Sequence, residues 1–89
     1  MHKTTKQMSN AADNVAQGES RMTVAVVNEQ AAHATVRFLE SARIYRLPRT
    51  SPDYAASLRS LQVAAGAGAA VYVRLAAPNT EIIVSARAA

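Results

Sequence analysis

Arginines lie beside aromatic residues at three places in this chain, in the pairs Arg37–Phe38, Tyr45–Arg46 and Tyr72 with Arg74. Guanidinium groups neutralise phosphates and aromatic rings stack on bases, so this combination is typical of surfaces that bind single-stranded nucleic acid. The alternative is that the rings pack in the core while the arginine stems cover apolar surface. A basic domain by itself is a weak indicator of nucleic-acid binding.

The first of these readings predicts a binding face on a β-sheet, with guanidinium groups for charge contacts and rings for stacking. Its partner would be single-stranded nucleic acid or another polyanion. The residues that we assign to this face are Arg37, Arg43, Arg46 and Arg74 for charge, and Tyr45 and Tyr72 for stacking.

The positive charge of the chain is unevenly distributed. The formal net charge is +4, and both lysines precede every arginine. Four arginines fall between Arg37 and Arg49, where Glu40 is the one acid. Arginine suits planar, bidentate contacts to phosphate or carboxylate. A GC-rich genome would also produce many arginines and alanines, so composition alone leaves both explanations open.

Other chemistry has little support in the residue types. The chain has no cysteine, which removes disulfides, thiolate catalysis and the usual zinc cages. No other side chain is spaced to bind a metal ion together with His33. In a helix, His33 and Glu29 would form an ordinary solvent-exposed pair four residues apart. No serine lies in a Gly-x-Ser-x-Gly elbow, and the Gly66-Ala67-Gly68 stretch follows a helix instead of preceding one. We therefore expect a non-catalytic protein without metal or cofactor.

The best-defined element is a helix over about residues 52–66. Ser51 is the expected N-cap, Pro52 the first helical residue, and Asp53 an acid in the first turn. Gly66 and Gly68 are expected to end the helix, because glycine tolerates left-handed backbone geometry. The apolar stripe of this helix consists of Tyr54, Leu58, Leu61 and Ala65, at spacings of four, three and four.

Strands are predicted on both sides of this helix. Residues 70–75 alternate, with Val71, Val73 and Leu75 on one face and Tyr72 and Arg74 on the other. The turn at residues 77–80 then joins this strand to a last one over residues 81–87, as an antiparallel hairpin. A first strand is predicted over residues 22–27 from its β-branched residues.

Residues 31–47 are ambiguous. A helix is possible between Asn28 and Pro48, but its apolar residues would spread around most of the cylinder. Strands over residues 35–39 and 43–47 are favoured, with a bend between them. This interpretation places Val36, Phe38, Ala42 and Ile44 on one face.

Together the elements predict an α+β domain. It would have a four- to five-stranded, mostly antiparallel sheet, or a partly open barrel, with one covering helix. The element order is similar to that of small partly open barrels such as the oligonucleotide/oligosaccharide-binding fold. The similarity concerns element order and rests on no motif residues.

The predicted folded unit spans residues 21–89, and residues 1–20 are predicted to be a disordered tail because they contain too few apolar side chains. Neither a secretory signal nor a membrane span is evident, so a cytoplasmic protein is expected. Ile82-Ile83-Val84 and residues 22–27 are apolar on both strand faces. This predicts the alternative function, a homo-oligomeric structural or protein-interaction module without a nucleic-acid role.

Overall fold

The structure is a computed structural model that describes residues 18–89, so most of the predicted tail lies outside the described residues. The described chain contains five strands and one helix. They are β1 (Glu19–Glu29), β2 (His33–Phe38), β3 (Ile44–Pro48), α1 (Tyr54–Ala67), β4 (Ala70–Leu75) and β5 (Ile83–Ala88). β1 begins two residues before the predicted start of the folded unit at Arg21.

The strands form one antiparallel sheet in the order β3-β2-β1-β4-β5. The predicted α+β class is therefore confirmed, as is the final hairpin between β4 and β5. The ambiguous residues 31–47 form the strands β2 and β3, as favoured above. No helix of the described chain is long and apolar enough to cross a membrane.

β1 is the longest strand and changes its partner along its length. Residues 19–23 pair with β4, whereas Val24 and residues 26–29 pair with β2. A register shift between Val24 and Val26 marks the change. An irregularity of this kind bends a strand and increases its twist. The two halves of the sheet are therefore inclined to each other at this point.

This bend brings the two ends of the sheet together without closing it. The edge strands meet through one isolated parallel bridge between Arg46 and Ile82. There the Arg46 backbone amide donates a hydrogen bond of 2.8 Å to the Glu81 carbonyl. The loop that precedes β5 is thereby fixed beside the edge of β3.

The core lies between the inward face of the sheet and α1. The helix contributes Leu58, Leu61 and Ala64, and Tyr54 and Ala65 pack at its margin, so the predicted stripe is confirmed. The buried apolar residues from the strands are Val24, Ala34, Val36, Phe38, Tyr45, Leu47, Val71, Val73, Ile83 and Ala86.

The start of α1 differs from the prediction. Ser51 and Pro52 lie in the preceding turn, where the Ser51 amide donates to the Pro48 carbonyl at 3.0 Å. The Ser51 hydroxyl donates to the Ile83 carbonyl at 3.4 Å and is not a helix cap. Asp53 occupies the N-cap position with φ 56° and makes no side-chain capping bond. Ser51 thus connects the turn before α1 to β5 instead of capping the helix.

The end of α1 follows the prediction more closely. Gly68 has φ 63°, and its amide donates to the Ala65 carbonyl. The next amide, that of Ala69, donates to the Ala64 carbonyl at 2.8 Å. These two bonds form a Schellman motif, which needs a left-handed residue. Gly66 lies inside the helix and does not end it.

A buried hydroxyl links α1 to β5. Ser57 is almost completely buried, and its Oγ accepts a hydrogen bond of 3.1 Å from the Ala86 amide. β5 is the last strand in the sheet order, so this amide is satisfied by the helix. A backbone amide that is buried without a partner destabilises the folded state.

We expect Ser57→Ala to lower the free energy of unfolding by about 1–3 kcal/mol, because it leaves the buried Ala86 amide unpaired. Urea denaturation measures this change. The matched control is Ser60→Ala, one turn further along, whose hydroxyl makes no hydrogen bond within residues 18–89. It should change stability by less than about 0.5 kcal/mol. Equal effects of the two substitutions would contradict this role of Ser57.

Candidate nucleic-acid interface

Arg37 and Arg46 lie on the outward face of two neighbouring strands. In β2 the buried residues alternate with outward ones, which places Thr35 and Arg37 on the face opposite to the core. The register pairs Thr35 with Arg46 and Arg37 with Ile44. Arg37 and Arg46 are therefore diagonal neighbours, a relationship that places residues about 7–8 Å apart.

Apolar side chains lie next to these arginines. Val26 of β1 pairs with Arg37, which in turn pairs with Ile44. Val26 is 45% exposed and Ile44 is 53% exposed. The outward face thus carries a row in which one guanidinium stands between two exposed aliphatic groups. We refer to Val26, Thr35, Arg37, Ile44 and Arg46 as the arginine face.

The exposure of Ile44 corrects the sequence prediction, which placed it on the same face as Val36 and Phe38. Five residues separate β2 from β3, and the register pairs Ile44 with outward-facing Arg37. Tyr45 and Leu47 consequently point inward. The sequence alternates in both strands, but it does not reveal the relative phase of the strands across the loop.

Neither Arg37 nor Arg46 forms an ion pair with an acid of residues 18–89. Other arginines do form ion pairs in this part of the chain, among them Arg43–Glu81, Arg49–Glu29 and Arg87–Glu19. Both guanidiniums are exposed and can take an anion without breaking an internal bridge.

Tyr45, which was predicted to stack on bases, fills the core. It is 7% exposed and meets the Phe38 ring edge-on, with 5.2 Å between the centroids. Its hydroxyl lies 3.3 Å from the Ser41 Oγ. Adjacent residues of a strand point to opposite faces. Tyr45 and Arg46 therefore cannot share a binding surface while β3 remains a strand.

Tyr72 and Arg74 share a strand face, as predicted, but they lie on the other half of the sheet. Arg74 pairs with Glu19 of β1, whereas Arg37 pairs with Val26 beyond the bend. Tyr72 is 8% exposed, and the Arg87 guanidinium lies 4.5 Å from its ring centroid. The structure thus brings together only Arg37 and Arg46 of the six predicted residues. We leave both tyrosines and Arg74 out of the arginine face.

Arg43 borders the arginine face from the loop between β2 and β3. Its Nη1 lies 3.4 Å from the Glu81 Oε2, and the two side chains are 50% and 41% exposed. Glu81 belongs to the loop before β5 that contacts Arg46. Arg43 therefore lies close to the predicted site but already has a carboxylate partner.

The loop that carries Arg43 is tied to β1 by a carboxylate. The Thr23 hydroxyl donates to one oxygen of Glu40 at 2.7 Å, and the Thr23 amide donates to the other at 2.8 Å. These two bonds hold the pKa of Glu40 below its ordinary value. The single acid of the arginine-rich segment therefore stabilises the loop and neutralises neither arginine of the arginine face.

Residues 18–89 contain no cluster of three or more His, Cys, Asp or Glu side chains that could hold a metal ion. No protein-family model matches the chain, and no curated protein or solved structure is significantly similar to it.

We expect the pKa of Glu40, measured by NMR titration, to lie below that of an ordinary glutamate and to rise in Thr23→Val. A lowered pKa contributes stability above the unfolded-state value and loses it as the pH falls through the folded-state value. Thr23→Val should therefore reduce the loss of stability on acidification. Thr35→Val is the control, since the Thr35 hydroxyl faces the Asn28 carbonyl. An unchanged Glu40 pKa in Thr23→Val would contradict this interpretation.

Proposed function

We propose that the protein is a non-catalytic binding module and that its arginine face binds single-stranded nucleic acid. The observation that carries the proposal is the pair of exposed guanidiniums, Arg37 and Arg46, on adjacent strands without an acid partner among the described residues. Such groups bind phosphates in a charge-assisted and bidentate way.

The aliphatic groups beside Arg37 favour a single strand over a duplex. Val26 and Ile44 are exposed and stand in register with Arg37. In a duplex the faces of the bases are stacked, and only the phosphates and groove edges remain for contact. A single strand presents both phosphates and base faces, so it can contact the guanidinium and the aliphatic side chains together.

We expect Arg37→Gln and Arg46→Gln each to weaken binding of a single-stranded oligonucleotide about tenfold, because a hydrogen bond to a charged group contributes about 1.5 kcal/mol. Each should also reduce the salt slope of log K by about 0.7, as one phosphate contact is lost. Fluorescence anisotropy at several salt concentrations measures both quantities.

The matched control is Arg59→Gln, which removes the same charge from α1, away from the arginine face. It should leave the affinity within about twofold of the unmodified protein, since only long-range charge is lost and salt screens it. Binding that does not weaken with salt, or that falls equally in all three variants, would contradict the proposed face.

A second candidate is a homo-oligomeric module, and the exposed apolar side chains favour it. Leu39, at the end of β2, is 71% exposed and adds to Val26 and Ile44. Ile82-Ile83-Val84, on which the sequence argument rested, is buried at Ile83 and half-buried on either side. An interface would therefore lie on β1 to β3, where the nucleic acid is proposed to bind.

If the arginine face joins two copies, light scattering should report a dimer that Ile44→Asp dissociates, because a buried charge opposes association. Val63→Asp places the same charge at an exposed apolar site on α1 and is the control. A monomer at all concentrations would eliminate this second candidate.

A further inference from the structure

The Arg43–Glu81 ion pair joins two loops next to β3, one of the strands of the arginine face. Arg43 comes from the loop before β3, and Glu81 comes from the loop before β5. The Glu81 backbone is fixed at this place because its carbonyl accepts the Arg46 amide at 2.8 Å. The Glu81 backbone is therefore anchored to a residue of the arginine face, and its carboxylate reaches Arg43.

The Glu81 carboxylate pairs with the Arg43 guanidinium in the way that a ligand phosphate would. A carboxylate and a phosphate present similar oxygen pairs to a guanidinium. Arg43 would be a third cation, next in sequence to Ile44 of the arginine face, if it were released. Both partners are about half exposed, and ion pairs at such positions are weak and sensitive to salt. A phosphate of a bound strand can therefore displace the Glu81 carboxylate from Arg43.

We infer that Glu81 is a specificity-determining residue that competes with the ligand phosphate for Arg43. The inference rests on the proposed function and concerns the same site. The competition weakens the complexes of long strands, whose phosphates reach Arg43, and leaves unchanged the binding of short ligands that contact only Arg37 and Arg46. Glu81 thereby reduces the advantage in affinity that a long strand would gain over a short one from contacting Arg43 as well.

The test is Glu81→Gln, assayed with a long and a short single-stranded oligonucleotide. The substitution keeps the backbone contact to Arg46 and removes the competing charge. We expect the affinity for the long strand to rise about threefold to tenfold and the salt slope to steepen by about 0.7, as one more phosphate contact forms. The double variant Arg43→Gln/Glu81→Gln should abolish this gain.

Glu29→Gln is the matched control, since it removes a carboxylate from a similar ion pair, with Arg49 at 3.5 Å, and changes the net charge equally. Glu29 pairs with core-facing Ala34, so it lies off the arginine face. Equal gains in Glu81→Gln and Glu29→Gln would indicate a general charge effect and overturn the inference.

The role of Glu81 and the proposed binding of single strands are overturned by different results. If the unmodified protein binds the long oligonucleotide with a steep salt dependence but Glu81→Gln does not bind it more tightly, the inference is overturned and the proposed function stands. A gain that persists in the double variant also overturns it, because Arg43 would then be irrelevant. If no single strand binds at low salt, the proposed function itself fails.

Discussion

β1 pairs with β4 over its first half and with β2 over its second half, and the rest of the sheet depends on this exchange. At the change the Thr23 carbonyl accepts the Leu39 amide, and the Val24 amide donates to the Ala69 carbonyl, each at 3.0 Å. The free Thr23 amide is taken by Glu40. Three backbone groups at the exchange, the Thr23 amide, the Thr23 carbonyl and the Val24 amide, thus find partners, as buried and half-buried backbone groups require.

The exchange has a direct consequence for the distribution of charge. A flat sheet would place the outward residues of all five strands on one surface, which is the arrangement that the sequence analysis assumed. The bend separates them into two surfaces, with Arg37 and Arg46 on one and Arg74 beyond the bend. Acids are distributed unequally between these surfaces, since Glu19 lies on the second and pairs there with Arg87 at 2.9 Å.

Local patterns predicted most elements, because each element's pattern is contained within it. The alternation of residues 70–75 determined which side of β4 faces the core, and Gly68 determined where α1 ends. The relative orientation of two elements, and the contacts between them, depend on residues outside each element's own pattern and could not be predicted from it. The inward orientation of Tyr45 depends on the phase across the β2–β3 loop, and the role of Ser51 depends on a carbonyl 32 residues away. Glu40 illustrates the same limit, since its partner Thr23 is 17 residues earlier.

The rings of the chain are all engaged in the fold, and this shapes the chemistry that remains outside. Phe38, Tyr45 and Tyr72 are buried, and Tyr54 is half-buried beside Arg49. A domain of this size has little apolar surface to spare, so Phe38 and Tyr45 are needed in the core, whereas Tyr72 lies on the outward face beneath the Arg87 guanidinium. The surface is left with guanidiniums and small aliphatic groups. Aliphatic groups contact any base face without reading its hydrogen-bonding edge, and guanidiniums hold phosphates that are the same at every nucleotide. If the arginine face binds a single strand, as proposed, a site of this composition would recognise the backbone and the unpaired state of the strand, and its selectivity would come from length and charge spacing.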